Sequence, residues 1–565
     1  MKKRQLSLII CIIFLFGLKQ KLHAQEEVTC NVSTYAQTIE SPFYIGNKWK
    51  LKVKCSEEWI TVTSGKTCKD CFYISVEENN NDQERRGTVI FKGRKGSKKI
   101  TIIQEGQDIT SKFTCEVFKK DLAIYRIVSS AKKIRVKDVS SVKELKLGKY
   151  AHIKSFAGLE YFKELETFYY SSGNSYSSEP ELKLDLSHNQ KIKKVHCFNA
   201  KIKQINVSNC PELEELYCVN TKIDTIDISR NYNLRKLTTK RSCFDYESRS
   251  SAESLIIFPE FGCKTPKLEE LYCERNNYKS LELYKCPLLK RVDCSQNRQL
   301  KNLDLKDCVN LTYLNCHLNQ IEYLDLRDCI KLDTLICHKS SIKKIRFGKN
   351  ASLSYLDCQD NFLFELNTSS LESLRYLNCS NAYIPYLDLT ANTNLERLYY
   401  TQGLIRGVVY EDGYKMYLKE LLLPNNIDTP AGKGLTVLDV QSNNLEKLDL
   451  SRVPNLKHLK CSSNRLKELD LTNNRELETV DCSSNFIRKL DFTNCFNLQE
   501  LICGAHRAYY GVKRREDFWI LEYLYLPNQQ NTPPGKRLRK LNFEKSNLKH
   551  KIDFSSYPEL KEIDF

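Results

Sequence analysis

The chain has 565 residues, too many for one ordinary hydrophobic core and too regular in pattern for several unrelated ones. Its 88 lysines and arginines exceed its 70 aspartates and glutamates, a formal charge of +18. The two signs are interleaved rather than gathered into a basic block, so the balance reads as a solvated surface and makes no case for a nucleic-acid partner.

At the N-terminus, Met1-Lys2-Lys3-Arg4 precedes an apolar run from Leu6 to Leu18 and a polar stretch ending Leu22-His23-Ala24. That order is the one a secretory signal peptide needs, and it predicts a leader over 1–24 with cleavage after Ala24. The apolar run spans only about 20 Å as a helix, short for a bilayer core, and no later stretch reads as a membrane span. Cys11 sits inside the apolar run and is not read as a lipid-anchor cysteine. Cleavage removes five cations and leaves +13. The expected destination is the periplasm, the cell surface or the medium.

Residues 25–107 alternate apolar and polar in short runs broken by Gly, Asn and Ser, which predicts an Ig-like β-sandwich. Within it, Trp59, Asn79 or Asn80, the Arg86-Gly87 step and Gln104-Glu105-Gly106 resemble the BACON domain. That resemblance implies either a carbohydrate-binding module or a spacer in an exported bacterial protein. Only Trp59 and Tyr44 resemble a sugar platform, and Trp59 reads as core. Cys68-x-x-Cys71 lacks the βαβ setting of a thioredoxin-like centre and reads as a local pair or two separate thiols.

Residues 108–141 form a linker and cap. Apolar side chains at Val117, Leu122, Tyr125 and Val128 predict a short amphipathic helix that shields the open end of the segment after it.

From about residue 142 to 565 the chain repeats. Leu311 opens LTYLNCHLNQIEYLDLRDCIK, and Leu332, Leu353 and Leu374 open further units in the same frame. The frame is L-x-x-L-x-C-x-x-N-x-I-x-x-L-D-L-x-x-C/N-x-x. L-x-C and L-D-L alternate with period two, so each is a short strand with its apolar side chains inward. The Asn or Cys three residues further on turns the chain and can satisfy backbone groups of the next coil. About seventeen coils at the ~4.8 Å strand spacing give a rod or arc roughly 80 Å long. The nested frame resembles the bacterial leucine-rich repeats, in particular the subtype called IRREKO. The resemblance implies a solenoid with strands on two sides, in a family that mostly binds proteins or other ligands.

Sixteen of the 24 cysteines keep to this frame. Eleven occupy the first-strand phase, from Cys197 to Cys503, and five the second corner: Cys210, Cys286, Cys308, Cys329 and Cys495. Locked in a repeat phase, they read as buried free thiols rather than a disulfide framework. Cys243 and Cys263 bracket one insertion and could bridge it.

Insertions fall near 238–267, 399–434 and 504–537. The last two are copies: LPNNIDTPAGKGL at Leu423 matches LPNQQNTPPGKRL at Leu526. Their Pro/Gly halves read as compact turns. Their other halves carry Tyr399, Tyr400, Tyr410 and Tyr414, then His506, Tyr509, Tyr510 and Trp519, residue types that binding hot spots prefer. In the regular coils, Tyr217 and Tyr272 share one outward row, and Tyr313, Tyr355 and Tyr376 a neighbouring one. These rows are candidates for a protein or glycan surface, or ordinary cross-strand pairs.

Asp304, Asp325, Asp388, Asp449, Asp470 and Asp491 recur on the second strand, without the spacing of a calcium loop. His317 and His338 share a phase but lack a third metal ligand. No G-x-S-x-G, H-E-x-x-H or G-x-G-x-x-G motif is present, and Gly65-Lys66-Thr67 lacks the upstream glycine of a P-loop. The expectation is an exported, non-enzymatic solenoid without cofactor, binding protein at a surface or as an adhesin. A glycan-binding accessory protein or a structural spacer is the alternative.

Overall fold

The computed structural model describes residues 27–32, 37–41, 52–64, 72–79, 85–93, 96–104, 108–148, 153–172, 181–223, 225–240, 255–258, 266–403, 417–430, 433–504, 521–535, 537–546 and 548–564. The expected leader 1–24, Tyr44, Cys68, Cys71, Cys243, Cys263, Tyr410, Tyr414, His506, Tyr509, Tyr510 and Trp519 lie outside the described residues. The chain divides into two units, residues 1–212 and 213–565.

In the first unit, alternation of apolar residues builds a mainly β sandwich. Its strands are β1 (Glu27–Val32), β2 (Gln37–Glu40), β3 (Lys52–Cys55), β4 (Ile60–Ser64), β5 (Phe72–Val76), β6 (Arg85–Gly93) and β7 (Gly96–Gln104). One sheet has the order β1-β7-β6-β3, the other β2-β5-β4. Ile60, Ile74, Val76, Val89, Phe91, Ile100 and Ile102 fill the space between them, with Trp59 packed at the margin.

Trp59, Gly87 and Gln104 of the motif have structural work, together with the neighbouring Arg85. The Arg85 guanidinium lies 4.2 Å from the Trp59 ring centre. Its Nε donates to Gln104 Oε1 at 2.7 Å, and Gln104 Nε2 donates to the Glu77 carbonyl at 2.7 Å. Gly87 is needed because a Cβ there would lie 2.5 Å from Ile60 Cδ1 and 3.0 Å from Trp59 Cζ2. These contacts tie β6, β7 and the segments beside Trp59 and Glu77 together.

The cap helix α1 spans Glu116–Ile124. Its buried face is Phe118, Asp121 and Leu122, so Tyr125, expected on that face, instead lies past the helix end and is 38% exposed. Phe118 meets Phe156, which packs edge-on against Phe168 and Tyr170 of a repeat strand, Thr167–Ser171. Asp121 Oδ2 accepts from the Gly148 N–H at 2.9 Å and ties the helix to the end of the first repeat strand, Glu144–Leu147. The cap thus covers apolar surface that a terminal coil would leave open.

The repeat strands pair parallel. Glu144–Leu147, Thr167–Ser171 and Lys194–Phe198 form one run in the first unit. In the second unit fifteen described strands, from Glu215–Val219 to Glu562–Asp564, continue without a break in pairing. This is a leucine-rich-repeat solenoid. The second side is less regular than the two-sided strand expectation. Its strands pair only in twos, as in Tyr323–Leu326 with Lys344–Phe347. Elsewhere, as at Leu448 and Leu450, the side chains bury in alternation without a ladder.

Corner asparagines stitch the coils. Asn361 Nδ2 donates to the carbonyls of Cys337 and Cys358, both at 2.9 Å, in two successive coils. Its Oδ1 accepts from the Ser340 and Ile342 N–H groups at 3.0 and 2.9 Å. Asn276, Asn297, Asn319, Asn443, Asn464 and Asn485 take the corresponding place in their coils. The first-strand cysteines are fully or almost fully buried, and burial pushes the Cys218, Cys316 and Cys503 thiols up to about 12. The second-corner thiols of Cys210 and Cys308 face carbonyls of the preceding coil at 3.3 and 3.5 Å.

Candidate functional site

Strand alternation sends Leu314, Leu335, Leu356, Leu377 and Leu398 into the solenoid and their flanking residues onto the outer face of the long sheet. Nine neighbouring strands from Glu215–Val219 to Arg397–Tyr399 carry the predicted tyrosines over roughly 40 Å at the usual strand spacing.

The structure brings these tyrosines together in three groups. Lys236 Nζ stands 5.6 Å from the Tyr217 ring centre and 5.3 Å from that of Tyr272, and it pairs with Glu270 at 2.8 Å. The Arg291 guanidinium covers Tyr313 at 4.5 Å. Tyr355 and Tyr376 stack at 4.2 Å with planes 7° apart, and Tyr376 meets Tyr399 at 5.5 Å. Burial pushes the phenols of Tyr313, Tyr355 and Tyr376 above their ordinary range. All of these tyrosines are half-buried.

Tyr400 departs from the expected surface position. It fills the cysteine phase of its coil and is wholly buried. Its hydroxyl donates to the Ile384 carbonyl at 2.7 Å and accepts from the Ile384 N–H at 3.0 Å. Gly403 stands where the frame of that coil has its corner asparagine, so the phenol does the asparagine's work. The signal was present in the sequence as Gly403 out of pattern.

The insertions also have a common position. In each of the three coils the first strand is regular: Lys236–Thr238, Arg397–Tyr399 and Glu500–Ile502. The second strand then resumes as Leu255–Ile257, Glu420–Leu422 and Tyr523–Tyr525. Most of the extra residues therefore enter at the first corner, and the Pro/Gly halves follow the second strand. The Pro/Gly halves are turns built on a buried amide. Asn426 Oδ1 accepts from Leu435 N–H at 3.1 Å, and Gln529 Oε1 from Leu538 N–H at 2.7 Å. Gly434 and Gly535 have φ of +72° and +85°, which suits glycine.

The second-strand aspartates cap the corner. Asp388, Asp449, Asp470 and Asp491 each accept from the N–H and the hydroxyl two residues on. Those hydrogen bonds hold their carboxyls below the usual range. The imidazoles of His317 and His338 stack at 4.6 Å with planes 18° apart, and His317 Nδ1 bonds Asn315 Oδ1 at 2.8 Å. Among the described residues no three His, Cys, Asp or Glu side chains gather as metal ligands. None of the described helices is long and apolar enough to cross a membrane.

Residues 48–105 match the BACON family, described as "Putative binding domain, N-terminal". The chain is similar to the functional domain of InlJ from Listeria monocytogenes, which includes a cysteine ladder: 22% identity, TM-score 0.44, over 70% of this chain and 80% of that one. It is also similar to YopM, a leucine-rich effector protein from Yersinia pestis: 20% identity, TM-score 0.37, over 75% and 88% of the two chains. No curated protein matches it. A BACON domain thus precedes a leucine-rich-repeat solenoid.

Proposed function

We propose that this chain, a BACON domain ahead of a leucine-rich-repeat solenoid, is an exported, non-enzymatic protein that binds another protein at the cell surface, in the periplasm or in the medium. The outer face of the long sheet is its docking surface. The observation that carries the reading is the row of half-buried tyrosines with cations and acids interleaved in strand register. Aromatic rings and arginine on a rigid sheet offer large contact area at little entropic cost.

A glycan platform is the weaker reading of the same face. Sugars lie flat on an open ring face, whereas Tyr355 and Tyr376 turn their faces to one another and Tyr313 is covered by Arg291. The leader expected at 1–24 supports export.

The mature chain screened against extracellular proteins and a polysaccharide array tests this. We expect a protein partner, bound at least about tenfold more weakly by a Tyr355→Ala/Tyr376→Ala double variant. Polysaccharide binding that survives the double variant would overturn the reading and move the site away from these rows.

A further inference from the structure

One acid on the sheet face is held unlike the others. Alternation points Asp357 outward, with Leu356 and Cys358 buried on either side. Yet Asp357 is only 8% exposed. Ile336 and Asn378 flank it in register on the neighbouring strands, and Tyr355 precedes it on the same face. Its hydrogen bonds are long and local: the Gln359 N–H donates at 3.3 Å and Gln359 Nε2 at 3.4 Å. Among the described residues no lysine or arginine pairs with it.

Other aspartates of the same row are better served. Asp293 accepts from Ser295 Oγ at 2.6 Å and Asn315 Nδ2 at 3.0 Å. Asp481 accepts from Ser483 Oγ at 2.7 Å and Ser462 Oγ at 3.0 Å. Burial pushes the Asp357 carboxyl up, with His338 opposing. His338 Nδ1 is itself buried with no hydrogen-bond partner. On the other flank stands the stack of Tyr355, Tyr376 and Tyr399. A desolvated carboxylate short of donors, beside a wall of aromatic rings, fits a planar cation with several N–H groups.

We propose that the Asp357 carboxylate anchors one arginine side chain of a protein partner, the guanidinium forked onto it and laid against the tyrosine wall. The inference rests on the reading of this face as a protein-docking surface. Arginine suits it better than lysine: its fork matches a carboxylate, its plane stacks on aromatic rings, and it sheds water more readily than an ammonium. The chain uses this stacking internally, with Arg85 on Trp59 and Arg291 on Tyr313. A buried, under-bonded acid contributes most when its partner arrives already paired to it in the complex.

The test is calorimetric titration of the mature chain with N-acetyl-arginine amide and with its uncharged citrulline counterpart. Arginine is expected to bind at least about tenfold more tightly than citrulline, and Asp357→Asn to abolish that difference. Tyr323→Ala, which removes an exposed ring from the second side of the solenoid, is expected to leave it intact. Equal affinity for the two probes, or an unchanged preference in Asp357→Asn, would overturn the anchor. The two readings fail separately. A protein partner bound equally by wild type and Asp357→Asn sinks the anchor and spares the docking surface. A discriminating arginine probe with no protein partner in the screen does the reverse.

Discussion

At the scale of the residue, Asp357 carries a cost of burial. Its folded carboxyl is raised above the unfolded value, first by burial. Its contribution to stability is therefore full below the unfolded value near 3.9 and is lost as pH rises through the raised folded value. At neutral pH the ionised side chain opposes folding. Asp357→Asn keeps the shape and removes the charge, so it is expected to raise the Tm at pH 7 by a few degrees. The gain should vanish in acid, below about pH 3.9. Thermal melts at both pH values check this, and a lowered Tm at pH 7 would show that burial is not the dominant effect. A residue that weakens the fold while improving a site is the pattern expected of a functional group.

At the scale of the element, the corner sets what each coil can tolerate. Every buried N–H at the turn needs an acceptor, and the usual one is the asparagine of the next coil. Where Gly403 removes that asparagine, the Tyr400 phenol accepts the Ile384 N–H in its place. Tyr400→Phe keeps the ring and leaves that N–H unpaired, at a cost of about 1–3 kcal/mol. Denaturant unfolding measures it, and a loss well under 1 kcal/mol would mean that water replaces the phenol.

The frame itself was legible in the sequence, because a period of two recurs in every coil and a corner asparagine in many of them. The buried thiols were legible for the same reason. Tyr400 was misplaced because an aromatic beside an insertion resembles a surface residue until its phase is counted from Leu395. The burial of Asp357 was not legible at all. It depends on which side chains the adjacent coils lay beside it, and no single coil encodes that. The point at which the second strand resumes was not legible in the sequence; in the first insertion the pairing of Leu255–Ile257 with Thr225–Asp227 defines it.

At the scale of the molecule, a solenoid coil touches only its neighbours, so stability is close to a sum over local interfaces. Coils are expected to open in contiguous blocks rather than all together. The cysteines make this measurable, since Cys273, Cys294, Cys316, Cys337, Cys358 and Cys379 put one buried thiol in each successive coil. Alkylation in graded denaturant, read by peptide mass spectrometry, should show neighbouring cysteines becoming reactive together and distant ones at different midpoints. One shared midpoint for all would mean a single cooperative unit. The same row of thiols makes unravelling directional in an oxidising medium. A closed coil hides its sulfur from every oxidant. Two opened neighbours present free thiols at close range, and the bond they form holds the coils out of register. Opening then acts as a ratchet, and the survival time of the molecule is governed by how rarely the first pair of coils lets go.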